Sequence, residues 1–204
     1  MPKPSPQLAS ALRLFAINQR TLQLLLDHFA HLDPALWTAK PPANTRPIAA
    51  LFAHIHNIRL KWLRLSASHI PRPPQLTRTQ YTPQQLTTAL TQSAAALTQM
   101  LTEALGPTPS VHKFLRDGWA QPWPAGPEML AYILTHEAHH RGQICMIAHQ
   151  LGHKLPPSLT STLWNWERLW KAGDAPDADS KPYNSCVEPA LSLRPPKQPK
   201  GKKQ

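Results

Sequence analysis

The chain has 204 residues, is 41% apolar and carries a formal charge of +11, which suits one domain with a real core and leaves little room for two. It lacks the run of about 18 apolar residues that a membrane span needs, the apolar stretch of a secretory signal, and, with only Cys145 and Cys186, any disulfide framework or Cys-based zinc pattern. Five of the eleven net charges lie in the acid-free stretch 194–204 and the rest are scattered, so the sequence is expected to be cytoplasmic, without a membrane or specific nucleic-acid partner.

Twenty-four prolines divide the chain, because proline is excluded from helix interiors. They leave open windows at 7–33, 48–70, 84–106, 128–155 and 158–175. The first shows Leu8, Leu12, Phe15, Leu22, Leu26 and Phe29 at helical steps, with Asn18 and Gln19 interrupting the stripe. The second is headed by Pro47. The third follows Thr82-Pro83, an N-cap and N1 pair, and repeats Leu86, Leu90, Ala94, Leu97, Leu101 and Ala104 before Gly106. Residues 107–126 hold two tryptophans and four prolines and read as an ordered crossover, since Trp119 and Trp123 are costly to leave in water. The fourth window runs from Gly126-Pro127 to Gly152. A shorter fifth contains Leu163, Trp166 and Trp170 and ends near Gly173.

No stretch alternates with period two, so no strand is predicted. The expected fold is all-α: a four-helix bundle with a shorter fifth helix over residues 1–173, then a flexible basic tail over 174–204.

Eleven histidines can be sorted by helical face at about 100° per residue. With His136 at zero, Met129, Ile133, Ile144, Ile147 and Leu151 fall between roughly 20 and 80°, His140 at about 40°, and His139 near −60°. With His54 at zero, Leu51, Ile58, Trp62 and Leu65 fall between roughly 20 and 80°, whereas His56 lands near 200°, facing away. His54, His136 and His140 therefore point inward. One such imidazole is an ordinary core residue; three together are expensive to desolvate unless they share a partner. One divalent ion, such as Zn, Ni or Fe, satisfies all three and keeps a coordination position open.

The run His136-Glu137-Ala138-His139-His140 also matches H-E-x-x-H, in which the Glu is the base of a metallopeptidase and Glu167 would be the third ligand. No strand is predicted to align a peptide, and His54 already supplies an inward third donor. The peptidase stands as an alternative, beside a metal-binding bundle without catalysis.

The pieces LFAHIHNIRLKWL (51–63) and LTHEAHHRGQICMIAHQLG (134–152) resemble the DinB family of bacterial metal-binding helical bundles, with a helical pattern over roughly residues 7–171. The resemblance implies metal ligation by His54, His136 and His140, an up-down-down-up bundle, and assembly as a homodimer. It also implies a transferase joining a low-molecular-weight thiol to an electrophilic small molecule, since a metal lowers a thiol's pKa and presents the thiolate.

Glu137 and Gln143 are candidates for catalysis, and Asn18 and Gln143 for supporting the ligands through hydrogen bonds. Arg141 is read as an anion binder or ion-pair partner, Gly142 as a site of close helix packing, and Cys145 as a packed thiol opposite the metal face. Trp164, Trp166 and Trp170 are assigned to core or interface.

Overall fold

The computed structural model describes residues 5–39, 46–77, 81–167 and 169. Six helices lie within them: α1 (Pro6–Ala30), α2 (Pro34–Thr38), α3 (Ile48–Ser66), α4 (Pro83–Leu105), α5 (Pro127–Gln150) and α6 (Pro157–Trp164). Five of the six start on a proline whose missing N–H would be unpaired there in any case; α3 instead has Pro47 just outside, as its N-cap. Thr82 and Gln85 form a reciprocal capping box at the head of α4. At the end of α5, Gly152 takes φ 89°, the left-handed conformation that favours glycine. Gly106 is different: its φ is −71°, and a Cβ there would lie 2.7 Å from the Thr102 carbonyl oxygen, so close approach requires the glycine.

Helix direction can be read from two apolar clusters stacked along the bundle. One contains Phe15, Trp62, Leu63, Leu97, Leu101, Met129 and Ile133; the other contains Leu22, Phe29, Phe52, Ile55, Leu90, Ile144 and Ile147. Helices α1 and α5 run from the first cluster to the second, and α3 and α4 run from the second to the first. The order is up-down-down-up, an all-α bundle. Between the clusters every long helix contributes polar residues: Asn18 and Thr21 from α1, His56 and Arg59 from α3, Ser93 from α4, Glu137 and His140 from α5.

This order corrects the assignment of the crossover. Helices α4 and α5 are antiparallel, so the segment 106–126 only turns the chain around at one end. The parallel pair is α3 and α4, and the chain between them must return along the bundle, a path described over residues 67–77. Its prolines 71, 73 and 74 suit an extended path. His56 Nε2 donates to the Pro74 carbonyl at 3.0 Å, and Asn57 exchanges two hydrogen bonds with the Leu76 backbone at 2.9 and 3.1 Å.

The expectation of no strands also fails in a small way. Lys113–Phe114 (β1) and Trp123–Pro124 (β2) pair antiparallel, seating Phe114 and Val111 in the first cluster. Trp123 packs against Phe114 and Tyr132, but Trp119 is 74% exposed, with the Arg116 guanidinium 4.7 Å from its ring centroid. The predicted fifth helix is interrupted rather than continuous: α6 ends at Trp164, Asn165 leaves helical geometry, and it resumes at Trp166 and Glu167, with Leu169 buried. No residue of α6 itself is fully buried, and Trp164 and Trp166 are exposed, so these two do not belong to the core. Trp170, Gly173, Cys186 and the predicted tail 174–204 lie outside the described residues.

Candidate metal centre

Helices α3 and α5 bring His54, His136 and His140 together at the level of the polar layer. One ring nitrogen from each lies within 4.8 Å of the other two, a donor set able to hold a metal ion. The His136 and His140 Nε2 atoms are 3.2 Å apart, and the His54 ring centroid is 4.6 Å from that of His140 and 5.8 Å from that of His136. Two nitrogens bound at about 2.1 Å to one ion in tetrahedral geometry are separated by about 3.4 Å, close to the spacing of the α5 pair.

The proton on His140 is fixed from behind. Its Nδ1 donates to Gln143 Oε1 at 2.7 Å, leaving a lone pair on Nε2 directed into the cluster. Burial holds His54 and His136 well below the ordinary imidazole value, each at about 4, with neighbouring imidazoles and Lys61 adding to the depression. Burial also lowers His140, opposed by the Gln143 hydrogen bond. All three are thus neutral near pH 7. Lone pairs facing one another at hydrogen-bond distance repel unless a proton or cation lies between them, so these donors suit a divalent ion.

Glu137, one residue from His136, faces elsewhere. It is 0% exposed and accepts a two-pronged contact from Arg59, Nε to Oε1 at 2.7 Å and Nη2 to Oε2 at 2.6 Å. Asn18 Nδ2 adds a third hydrogen bond at 2.6 Å, and Arg141 donates to Asn18 Oδ1. Arg59 Nη1 donates to the Leu90 carbonyl at 3.1 Å. Both carboxylate oxygens are engaged, so Glu137 is not placed to serve as the base that the peptidase reading requires, and Glu167 is exposed and outside the histidine group.

Asn18 accordingly supports Glu137 and Arg141, while Gln143 supports the His140 ring. Gln19 Oε1 is buried with no hydrogen-bond partner. His139 and His149 are exposed. His56 does face away from the centre but is completely buried, because the crossover covers that side of α3. A Cβ on Gly142 would meet nothing within 4 Å, so no helix of this chain packs closely there among the described residues. Cys145 is half-buried, and burial pushes its thiol pKa up, as for an unreactive packed thiol.

Arg59 was the residue that sequence reasoning missed. The available signal was Glu137 itself: a carboxylate at the edge of an apolar stripe requires a buried cation.

An open groove of about 860 Å³ reaches the centre at His54 and is lined also by Asn57, Ile58 and Lys61.

The DinB family pattern matches residues 7–170. A crystal structure from Exiguobacterium sibiricum 255-15, assigned to the DinB family, shares the fold with 19% identity and a TM-score of 0.56, covering 77% of this chain and 99% of its own. No curated protein matches. With the family pattern spanning most of the chain and the three histidines gathered in its bundle, this protein belongs to the DinB family.

Proposed function

We propose that this protein is a divalent-metal-dependent transferase that joins a low-molecular-weight thiol to an electrophilic small molecule. The observation that carries this reading is the open groove reaching His54. A purely structural metal site is closed by four protein ligands or plugged by side chains, whereas three protein donors beside an open groove leave room for a reactant. The bound metal would supply Lewis acidity that lowers the pKa of a thiol at neutral pH. His54, His136 and His140 would hold the ion, and Gln143 keeps the His140 lone pair aimed at it. Lys61, ion-paired with Asp117 at 2.7 Å, contributes to lowering the pKa of His54 and His136 and so helps keep their nitrogens unprotonated for the ion. Glu137 keeps α5 in register through Arg59 and takes no proton from substrate.

The same reading takes the protein as a cytoplasmic homodimer. The exposed, uncharged positions Ala138, Gly142 and Met146 on one side of α5 support a second subunit there.

The test is a panel of common thiols with a chromogenic electrophile, assayed with the metal-loaded protein and again after chelation. Metal-dependent conjugation is the expected result. If no thiol is conjugated, the transferase reading fails and a metal-holding bundle without catalysis takes its place.

A further inference from the structure

The two helices that carry the three histidines are joined by hydrogen bonds at a single point. Among the described residues, the bonds between α3 and α5 are those from Arg59 to Glu137, Nε to Oε1 at 2.7 Å and Nη2 to Oε2 at 2.6 Å. Elsewhere the two helices meet through apolar and ring contacts, with the Trp62 centroid 5.7 Å from that of Tyr132 and 5.1 Å from that of His136. The groove adds no tie, because its lining follows α3 and the crossover, Arg72 included, and contains no residue of α5.

Apolar contact is non-directional and lets one helix slide or turn against another; a forked guanidinium–carboxylate contact does not. This fork is also braced from the other two long helices, by the Leu90 carbonyl of α4 and Asn18 of α1, with both charged side chains 0% exposed. It stands close to the histidines. Glu137 follows His136 directly, and Arg59 lies only about 7.5 Å of helix rise beyond His54. Metal ligation tolerates displacements of only about 0.2 Å, so the spacing of α3 and α5 decides whether His54 reaches the ion. Stability alone does not account for the pair, since apolar residues of similar volume often serve a core as well or better.

We propose that Arg59 and Glu137 are positioning residues of the metal centre. They set the spacing and register of α3 against α5, so that His54 stands opposite His136 and His140 before an ion arrives. This rests on the reading of the three histidines as metal ligands and is independent of thiol transfer.

The experiment is titration of the metal-free, full-length protein with Co²⁺, read by its visible bands, which strengthen as coordination falls toward four. Arg59→Met/Glu137→Leu fills the core without the fork, and Arg59→Lys keeps the charge without the fork. Both should bind Co²⁺ at least about tenfold more weakly, with altered bands and retained helical circular dichroism. Leu101→Ala, a truncation in the first apolar cluster, should lower the unfolding midpoint and leave Co²⁺ affinity unchanged. His54→Ala should cost about tenfold less affinity in the Arg59→Met/Glu137→Leu background than in the unaltered chain, because His54 is already displaced there. If the double variant loses its helical signal, Arg59→Lys alone decides. Unchanged affinity and bands in the folded pair variants overturn the proposal. So does an equal loss of affinity in Leu101→Ala, which would make the effect one of stability. If the unaltered chain and His54→Ala bind Co²⁺ alike, the histidine reading itself has failed.

Discussion

Two polar clusters sit at the same height in this bundle, contributed by neighbouring residues of α5, and they are finished differently. Around Glu137 the arrangement is closed: a buried carboxylate is held by a buried arginine and a buried amide, and half-buried Arg141 donates to that amide. Around His136 it is open: three neutral rings face one another, His54 also borders a groove, and only His140 is supported from behind. A buried polar group must either be completed by the chain or wait for something the chain does not contain. The difference separates a residue that holds the fold from one that holds a ligand, even when the two are adjacent in sequence.

Breaking the closed cluster should have the largest effect. Glu137→Ala leaves the Arg59 charge buried without its partner and should cost about 3–5 kcal/mol, read by chemical denaturation. Arg59→Met combined with Glu137→Leu should cost much less than the sum of the single changes; simple additivity would mean that the two side chains do not act as a pair. The open cluster should behave in the opposite way. His54→Ala or His140→Ala should reduce bound metal from about one ion per chain to a trace, by elemental analysis, while the metal-free protein keeps its helical circular dichroism. His139→Ala, one position away but exposed, should retain the metal; if it alone abolishes binding, the ligand set is wrong.

Gln143→Ala tests the support behind His140 and should weaken metal affinity about ten- to a hundredfold without removing a ligand. The last test concerns acid. In the folded, metal-free chain His54 and His136 titrate at about 4, below the ordinary 6.5, so the unfolded chain takes up protons first as pH falls. Their contribution is complete above pH 6.5, erodes between 6.5 and 4, and falls no further below that. Thermal melts of the metal-free protein should shift down across this window, and His54→Ala should flatten the shift. A flat profile in the unaltered protein would mean that the rings are not held neutral.

Much of this was readable from the sequence. Proline positions located the five main helical windows, and the inward faces of α3 and α5 selected the same three histidines that the fold gathers. The errors share a cause. A helical wheel treats the side opposite the apolar stripe as solvent, yet α3 is covered on that side by residues 67–77, so His56 is buried where the wheel placed water, and Arg59 is buried between α3, α4 and α5 against Glu137 and the Leu90 carbonyl. The crossover was misplaced because Trp119 and Trp123 drew attention to 106–126, although Trp119 is mostly exposed beside Arg116. Helix α2, five residues long, is too short to show periodicity. Asp33 capping Ala35 just ahead of Pro34 was its only local signal.

The pinning of the crossover to α3 has a consequence for how tightly the groove can bind. His56 and Asn57 fasten Pro74 and Leu76 just beyond Arg72, so the chain bearing that arginine is tethered at both ends before any ligand arrives. The conformational entropy of ordering one wall is thus lost during folding rather than during binding, where it would subtract from affinity. Asn57→Ala would release Leu76 while His56 still holds Pro74, so it would move only part of that loss to the encounter itself.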